Sequence, residues 1–109
     1  MSLSSKKCIP CEDKDMKPFD AKEIEKLLGE ISKWEVSHDN KKITKEFVFK
    51  DFVGALHFVN QVGDIAEAEG HHPDFHIVYN KVKLDLSTHS IGGLSENDFI
   101  VAAKIDALW

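Results

Sequence analysis

Residues 75–86 read FHIVYNKVKLDL, two short runs rich in β-branched and aromatic side chains that meet at Asn80. A two-residue turn at Asn80-Lys81 sets Tyr79 against Val82, Ile77 against Leu84 and Phe75 against Leu86, so one face of the hairpin is wholly apolar. The other face carries His76 and Val78 opposite Asp85 and Lys83. A hairpin with one apolar face needs a cover, and the flanking segments read as helices. Upstream, from Asp51, the residues Phe52, Ala55, Leu56, Val59, Val62, Gly63 and Ala66 recur at spacings of three and four, and Gly70 is a natural stop. Downstream, Ser95 caps a last helix with Asp98 at its third position, while Leu94 and Phe99 occupy the two staple positions. Val101, Ile105 and Leu108 give that helix an inward stripe.

The same reading extends to the N-terminal half. Asp20 and Glu23 form a capping box, with Phe19 and Ile24 as the staple, on a helix that ends near Gly29. Trp34 to Ser37 and Lys42 to Phe49 follow as strands around an Asp39-Asn40 turn, the second alternating through Ile43, Phe47 and Phe49. The predicted order is helix, two strands, helix, two strands, helix. This is an α+β fold of one domain, a four-stranded antiparallel sheet with helices packed on one face. The domain spans 19–109, behind a polar, flexible lead-in over 1–18.

Composition agrees with one compact domain: 109 residues, 42% hydrophobic and 30% charged. A formal net charge of -5 argues against an electrostatic grip on nucleic acid. No apolar run approaches the roughly 20 residues of a membrane helix, and the first seven residues lack the apolar centre of a secretory signal, so a cytoplasmic address is expected. The two cysteines form a single Cys8-x-x-Cys11 pair that lacks both a second metal-ligand pair and the strand-helix setting of a redox motif.

Candidate chemistry lies with the histidines, of which four of six fall between His71 and His89. His38 sits at a turn and His57 within a helix, where an ordinary polar residue suffices; His76 faces Asp85 as a solvated cross-strand pair. His71-His72-Pro73 follows the helix-ending Gly70, and the proline biases His72 toward extended backbone, so two imidazoles stand on a rigid exit turn. His89 lies in the connection before Gly92-Gly93, and Asp98 opens the next helix. Taken singly, each has a plain structural explanation, Asp98 as a cap included.

Taken together they form a pattern: Glu67, three residues, His71-His72-Pro73, five residues, Tyr79, nine residues, His89, eight residues, Asp98. This pattern, with Ser87-Thr88-His89-Ser90 and Gly92-Gly93-Leu94 around it, resembles the pterin-4a-carbinolamine dehydratase family. The resemblance implies dehydration of a 4a-hydroxytetrahydropterin, such as 4a-hydroxytetrahydrobiopterin, to a quinonoid dihydropterin, a hydro-lyase step in recycling the pterin cofactor of aromatic amino-acid hydroxylases. It implies proton transfer by His71 and His89, orientation of the pterin by His72, and support from Asp98 and Glu67, with no metal and no redox cofactor. Imidazole suits such work, since its unperturbed pKa of about 6.5 makes both protonation states accessible near neutrality. Tyr79 matches the pattern too, yet its place in the apolar row with Phe75 and Ile77 reads as core.

Three other classes compete with this expectation, the plainest a structural α+β domain with incidental histidines, which the full motif disfavours. Three imidazoles with Asp98 or Glu67 resemble a zinc hydrolase set, but adjacent histidines seldom turn to one ion, and no pair of histidines stands three residues apart on a helix. Some members of the resembling family also serve as a dimerisation cofactor for a homeodomain transcription factor. Phe52, Val53, Leu56, Val59 and Val62 could form the surface for such a role, although covering the sheet is the first use of an amphipathic helix. Family members commonly associate, so a homodimer or homotetramer is expected, acting on a pterin small molecule without direct contact to nucleic acid or membrane.

Overall fold

The computed structural model describes residues 3–6 and 17–108, which leaves Cys8 and Cys11 outside the described residues. Three helices, α1 (Ala21–Leu28), α2 (Phe52–Glu69) and α3 (Glu96–Asp106), alternate with strands β1 (Glu35–Val36), β2 (Ile43–Val48), β3 (Asp74–Val78) and β4 (Lys81–Leu86). The strands form one antiparallel sheet in the order β1-β2-β4-β3. The expected α+β order therefore stands.

Local sequence explains where the elements start and stop. Asp20 accepts from the Glu23 amide at 2.9 Å and Glu23 returns the bond at 3.3 Å, the expected capping box. Asp51 caps α2 through the Gly54 amide, and Gly70 ends it with φ +65, a conformation a glycine adopts without strain. Leu3–Ser5 forms a 3₁₀ turn against α3, where Leu3 is buried and Lys6 lies 3.3 Å from Glu96. No helix among the described residues is long and apolar enough to cross a membrane.

The apolar face of α2 is rotated from the expected stripe. Ala55, Phe58, Val62 and Ala66 point inward, whereas Phe52 and Leu56 are exposed. Phe58 decides the rotation: its ring lies 4.7 Å from that of Phe47 and 5.0 Å from that of Phe49, which places the largest apolar surface against the sheet. Similarly, Val101 and Ile105 of α3 are buried while Leu108 is not.

Between Ile43 and Phe47 on the covered face of β2 stands Lys45, which is buried. Its ammonium is 2.8 Å from Asp106 and 4.8 Å from the Phe47 ring centroid. Asp106 also accepts from the Trp34 indole and the Ser32 amide, both at 3.0 Å. A buried charge of this kind is tolerated because paired charge and hydrogen bonds replace its hydration.

The second hairpin corrects the expected register. Its turn residues are Tyr79-Asn80, so Phe75 pairs with Leu84 and Ile77 with Val82, two residues away from the expected partners. A shift of two preserves side-chain parity, and Phe75, Ile77, Val82 and Leu84 still share one face. Tyr79, expected in the core, is instead 64% exposed at φ +52. The cause is distant in sequence: the Asn80 side chain donates to the Phe49 carbonyl at 2.9 Å and the Asn80 carbonyl accepts from the Phe49 amide at 2.8 Å. Those two bonds hold Asn80 at the end of β2 and make it the second turn residue.

On the uncovered face His76 now opposes Lys83, yet its Nε2 still reaches Asp85 at 3.1 Å, and the Thr44 hydroxyl donates to Asp85 at 2.7 Å. Burial raises the Asp85 carboxyl, but the Thr44 bond, Lys42, His76 and Lys83 together outweigh it and hold the group below its ordinary 3.8. A carboxyl lowered in the folded state contributes stability above its unfolded pKa and loses it as pH falls through the folded one. The stability deficit of Asp85→Asn, present at pH 7, should therefore close in the acid below pH 3.8, as read from urea midpoints.

Candidate active site

The exit from α2 places the first two motif histidines on different sides of the chain. Gly70 turns the backbone, and the His71 amide bonds to the Ala66 carbonyl at 3.2 Å, which tucks the next side chain inward. His71 is 6% exposed, and its Nε2 lies 2.6 Å from Asp98 Oδ1. His72, before Pro73, points outward to solvent and hydrogen-bonds through Nε2 to Glu67 near the end of α2. Successive side chains of extended backbone project oppositely, so the expected pair at one corner is split between interior and surface.

Asp98 organises the interior half. It is fully buried, and α3 holds it through its own N-terminus: Asp98 Oδ2 accepts from the Ser95 amide at 2.9 Å, completing the capping box expected there. The same oxygen accepts from the Thr88 hydroxyl at 2.8 Å, and Thr88 Oγ1 lies 2.7 Å from Ser95 Oγ. Ser95 Oγ in turn accepts from the Asn97 amide at 3.2 Å. Asp98 is thus a cap and the partner of His71 at once, with Oδ2 spent on α3 and Thr88 and Oδ1 turned to the imidazole. An ionised carboxylate accepts and cannot donate, so an ionised Asp98 fixes the Nε2–H tautomer of a neutral His71.

Thr88 carries this network to the third histidine. It is buried, and its amide bonds to the Gly93 carbonyl at 2.8 Å, closing a small loop. Inside that loop His89–Ile91 forms a 3₁₀ turn ended by Gly92 at φ +68. Gly93 must stay bare, because a Cβ there would fall 2.8 Å from the Pro18 side chain. His89 is exposed and lines a cavity of about 180 Å³ with Lys41, Ser87, Thr88, Gly92 and Gly93.

The motif residues therefore separate into two groups. His71, Asp98 and the His89 loop are joined through Thr88, while His72 and Glu67 form an exposed pair. Tyr79 stands exposed in the β3–β4 turn. His38 and His57 are exposed, and His76 belongs to the open sheet face. Thr88 and Ser95 were missed as supporting residues; a hydroxyl residue adjoining His89 was visible in Ser87-Thr88-His89-Ser90, but its partner ten residues away was not. Larger cavities of about 350 and 340 Å³ lie elsewhere, around Ser32 and Asp106 and around Thr44 and Lys83, and no motif residue lines them. Among the described residues no group of three or more His, Cys, Asp or Glu is placed to hold a metal ion.

Residues 17–108 match the family model described as pterin 4 alpha carbinolamine dehydratase. The chain is 47% identical over 109 residues to pterin-4-alpha-carbinolamine dehydratase 2, mitochondrial, of Arabidopsis thaliana, covering 97% of this chain and 58% of that longer protein. It is 44% identical over 108 residues to a protein of Halorhodospira halophila named for the same dehydratase, with 99% of this chain and 98% of the relative covered. Among solved structures it resembles a transcriptional coactivator/pterin dehydratase from Brucella melitensis, at 34% identity and a TM-score of 0.80 over 84% of this chain and 98% of that one.

Proposed function

The chain belongs to the pterin 4 alpha carbinolamine dehydratase family, a family of hydro-lyases, and from that premise we propose that it dehydrates a 4a-hydroxytetrahydropterin by histidine acid–base catalysis in the recycling of a tetrahydrobiopterin-type cofactor. In this reading the C4a–oxygen bond breaks as a proton reaches the departing hydroxyl, N5 gives up its proton, and the C4a–N5 double bond of the quinonoid dihydropterin forms with release of water. His71 and His89 serve as the proton-transferring pair, one as donor and one as acceptor. Asp98 orients His71, and His72, steadied by Glu67, contacts the pterin from the exposed side.

The observation that carries the reading is the buried link from His71 through Asp98 to Thr88, the residue preceding His89. A positioned acid or base typically contributes about 10² to 10⁴-fold, and positioning is what this link supplies. The test is turnover of a freshly generated 4a-hydroxytetrahydropterin, corrected for spontaneous dehydration, with and without a metal chelator. Turnover unaffected by the chelator is the expected result. Loss that added zinc restores, with folding intact, would move the assignment to metal chemistry.

The reading includes a cytoplasmic address and a homodimer or homotetramer. Phe52, Val53, Leu56, Ile77, Val78 and Tyr79 are exposed large apolar side chains, and surface of this kind marks a place where chains associate. A coactivator role of the kind named for the Brucella protein would draw on the exposed outer face of α2, with Phe52, Val53 and Leu56. Light scattering at low micromolar concentration should return a multiple of 12.3 kDa; a monomer alone would count against the oligomer.

A further inference from the structure

Two carboxylates stand in the last turn of α2, where the helix dipole disfavours negative charge. Glu67 is exposed and bonds to His72. Glu69 closes the helix, and its side chain is only 11% exposed. Facing it where α2 packs on α3 is Lys104, in the last turn of α3 and 20% exposed, with Nζ 3.7 Å from Glu69 Oε2. Lys104 suits its own helix end whereas Glu69 opposes its own, so local helix stability does not account for the pair. Net stability does not account for it either, because withdrawing both charges from water offsets much of their attraction. What such a pair does select is one relative placement of the elements that carry it.

That placement matters because the same segments carry His71 and Asp98. His71 lies two residues beyond Glu69, and Asp98 lies six residues before Lys104, about 9 Å along the helix. The His71–Asp98 bond is one point of attachment, about which the end of α2 is left free to pivot against α3. The Glu69–Lys104 pair is a second point, displaced from the first along α3, and two points fix the angle. We propose that Glu69 and Lys104 are positioning residues for the dehydration: through the α2–α3 angle they hold the buried imidazole of His71 in its proton-transferring orientation. This rests on the dehydratase reading above and adds to it two residues outside the motif.

The experiment measures background-corrected turnover of a 4a-hydroxytetrahydropterin, melting, and the ring resonances of His71 by nitrogen-15 NMR. Lys104→Met and Glu69→Gln should each lower kcat about tenfold, less than the roughly 10²-fold of a 1 Å misplacement, and leave KM within about twofold, since His72 holds the pterin from the exposed side. The His71 Nε2 resonance should shift in both variants. Lys104→Arg keeps charge and reach, so kcat and that resonance should stay at wild-type values. The double variant should lose no more than either single one, because the two residues act as a unit. It leaves no unpaired buried charge, so it carries the reading if a single variant melts below the assay temperature. A purely structural pair would lower melting while kcat, assayed well below the midpoint, and the His71 resonance stayed as in wild type. That result, or wild-type kcat in the double variant, overturns the positioning role. Absence of turnover in wild type would instead remove the dehydratase reading, and the His71 resonance, which needs no substrate, would then decide the Glu69–Lys104 placement by itself.

Discussion

Replacing His71 or His89 by Ala is expected to lower kcat by roughly 10² to 10⁴-fold, the contribution of one positioned acid or base. If the two act in the same step, the double variant should fall far short of the product of the single losses, because groups that work as a unit are not additive. The two substitutions differ in structural cost. His89 is exposed, so its variant should fold as wild type does. His71 is buried on Asp98, and its loss leaves Oδ1 of a buried carboxylate without that bond, so melting must be recorded beside turnover. His38, His57 and His76 lie outside the network and serve as controls. Replacing His72, on the surface beside Glu67, should act more on KM. Full background-corrected turnover in both His71→Ala and His89→Ala would end the proton-transfer assignment while leaving the family membership untouched.

Asp98→Ala should produce the second large effect, on stability and activity together. The substitution removes the acceptor for three donors, the His71 ring, the Thr88 hydroxyl and the Ser95 amide, and takes the capping box with them. Losing one partner of a buried pair costs about 3–5 kcal/mol. For a domain of this size that lowers Tm by more than about 10 °C. Asp98→Asn separates the two consequences. It keeps the shape and one acceptor oxygen, so folding should largely survive, but an amide cannot accept from the imidazole and from Thr88 and Ser95 as a carboxylate does. Activity should therefore drop further than stability. Thr88→Val, which removes only one of the donors and leaves the carboxylate, should cost less than either, and Thr88→Ser should recover much of the loss. Wild-type melting and turnover in both Asp98 variants would make the network incidental.

The accuracy of the sequence reading tracks the distance between interacting groups. Both capping boxes, Asp20 with Glu23 and Ser95 with Asp98, were legible because each is closed within three residues. The glycine stop of α2 and the alternation of β2 and β4 were legible for the same reason: dihedral preference and side-chain period are local. The motif from Glu67 to Asp98 was legible as a pattern of residue types. Its geometry was not, since nothing in His71-His72-Pro73 tells which imidazole turns inward until α3 stands beside α2.

What the sequence by itself determined, then, is the order of elements, their ends and the set of candidate groups. The tertiary structure alone decided the partners. Asn80 is turned into a hairpin corner by Phe49, Lys45 is accepted into the core by Asp106, Phe58 sets the inner face of α2 against Phe47, and Thr88 finds Asp98. Each of these is a contact between segments that chain connectivity leaves free to meet many others. A cap or a period is satisfied by neighbours already in reach, whereas a buried ion pair, a ring contact or a shared carboxylate exists only after packing has excluded water and chosen one neighbour.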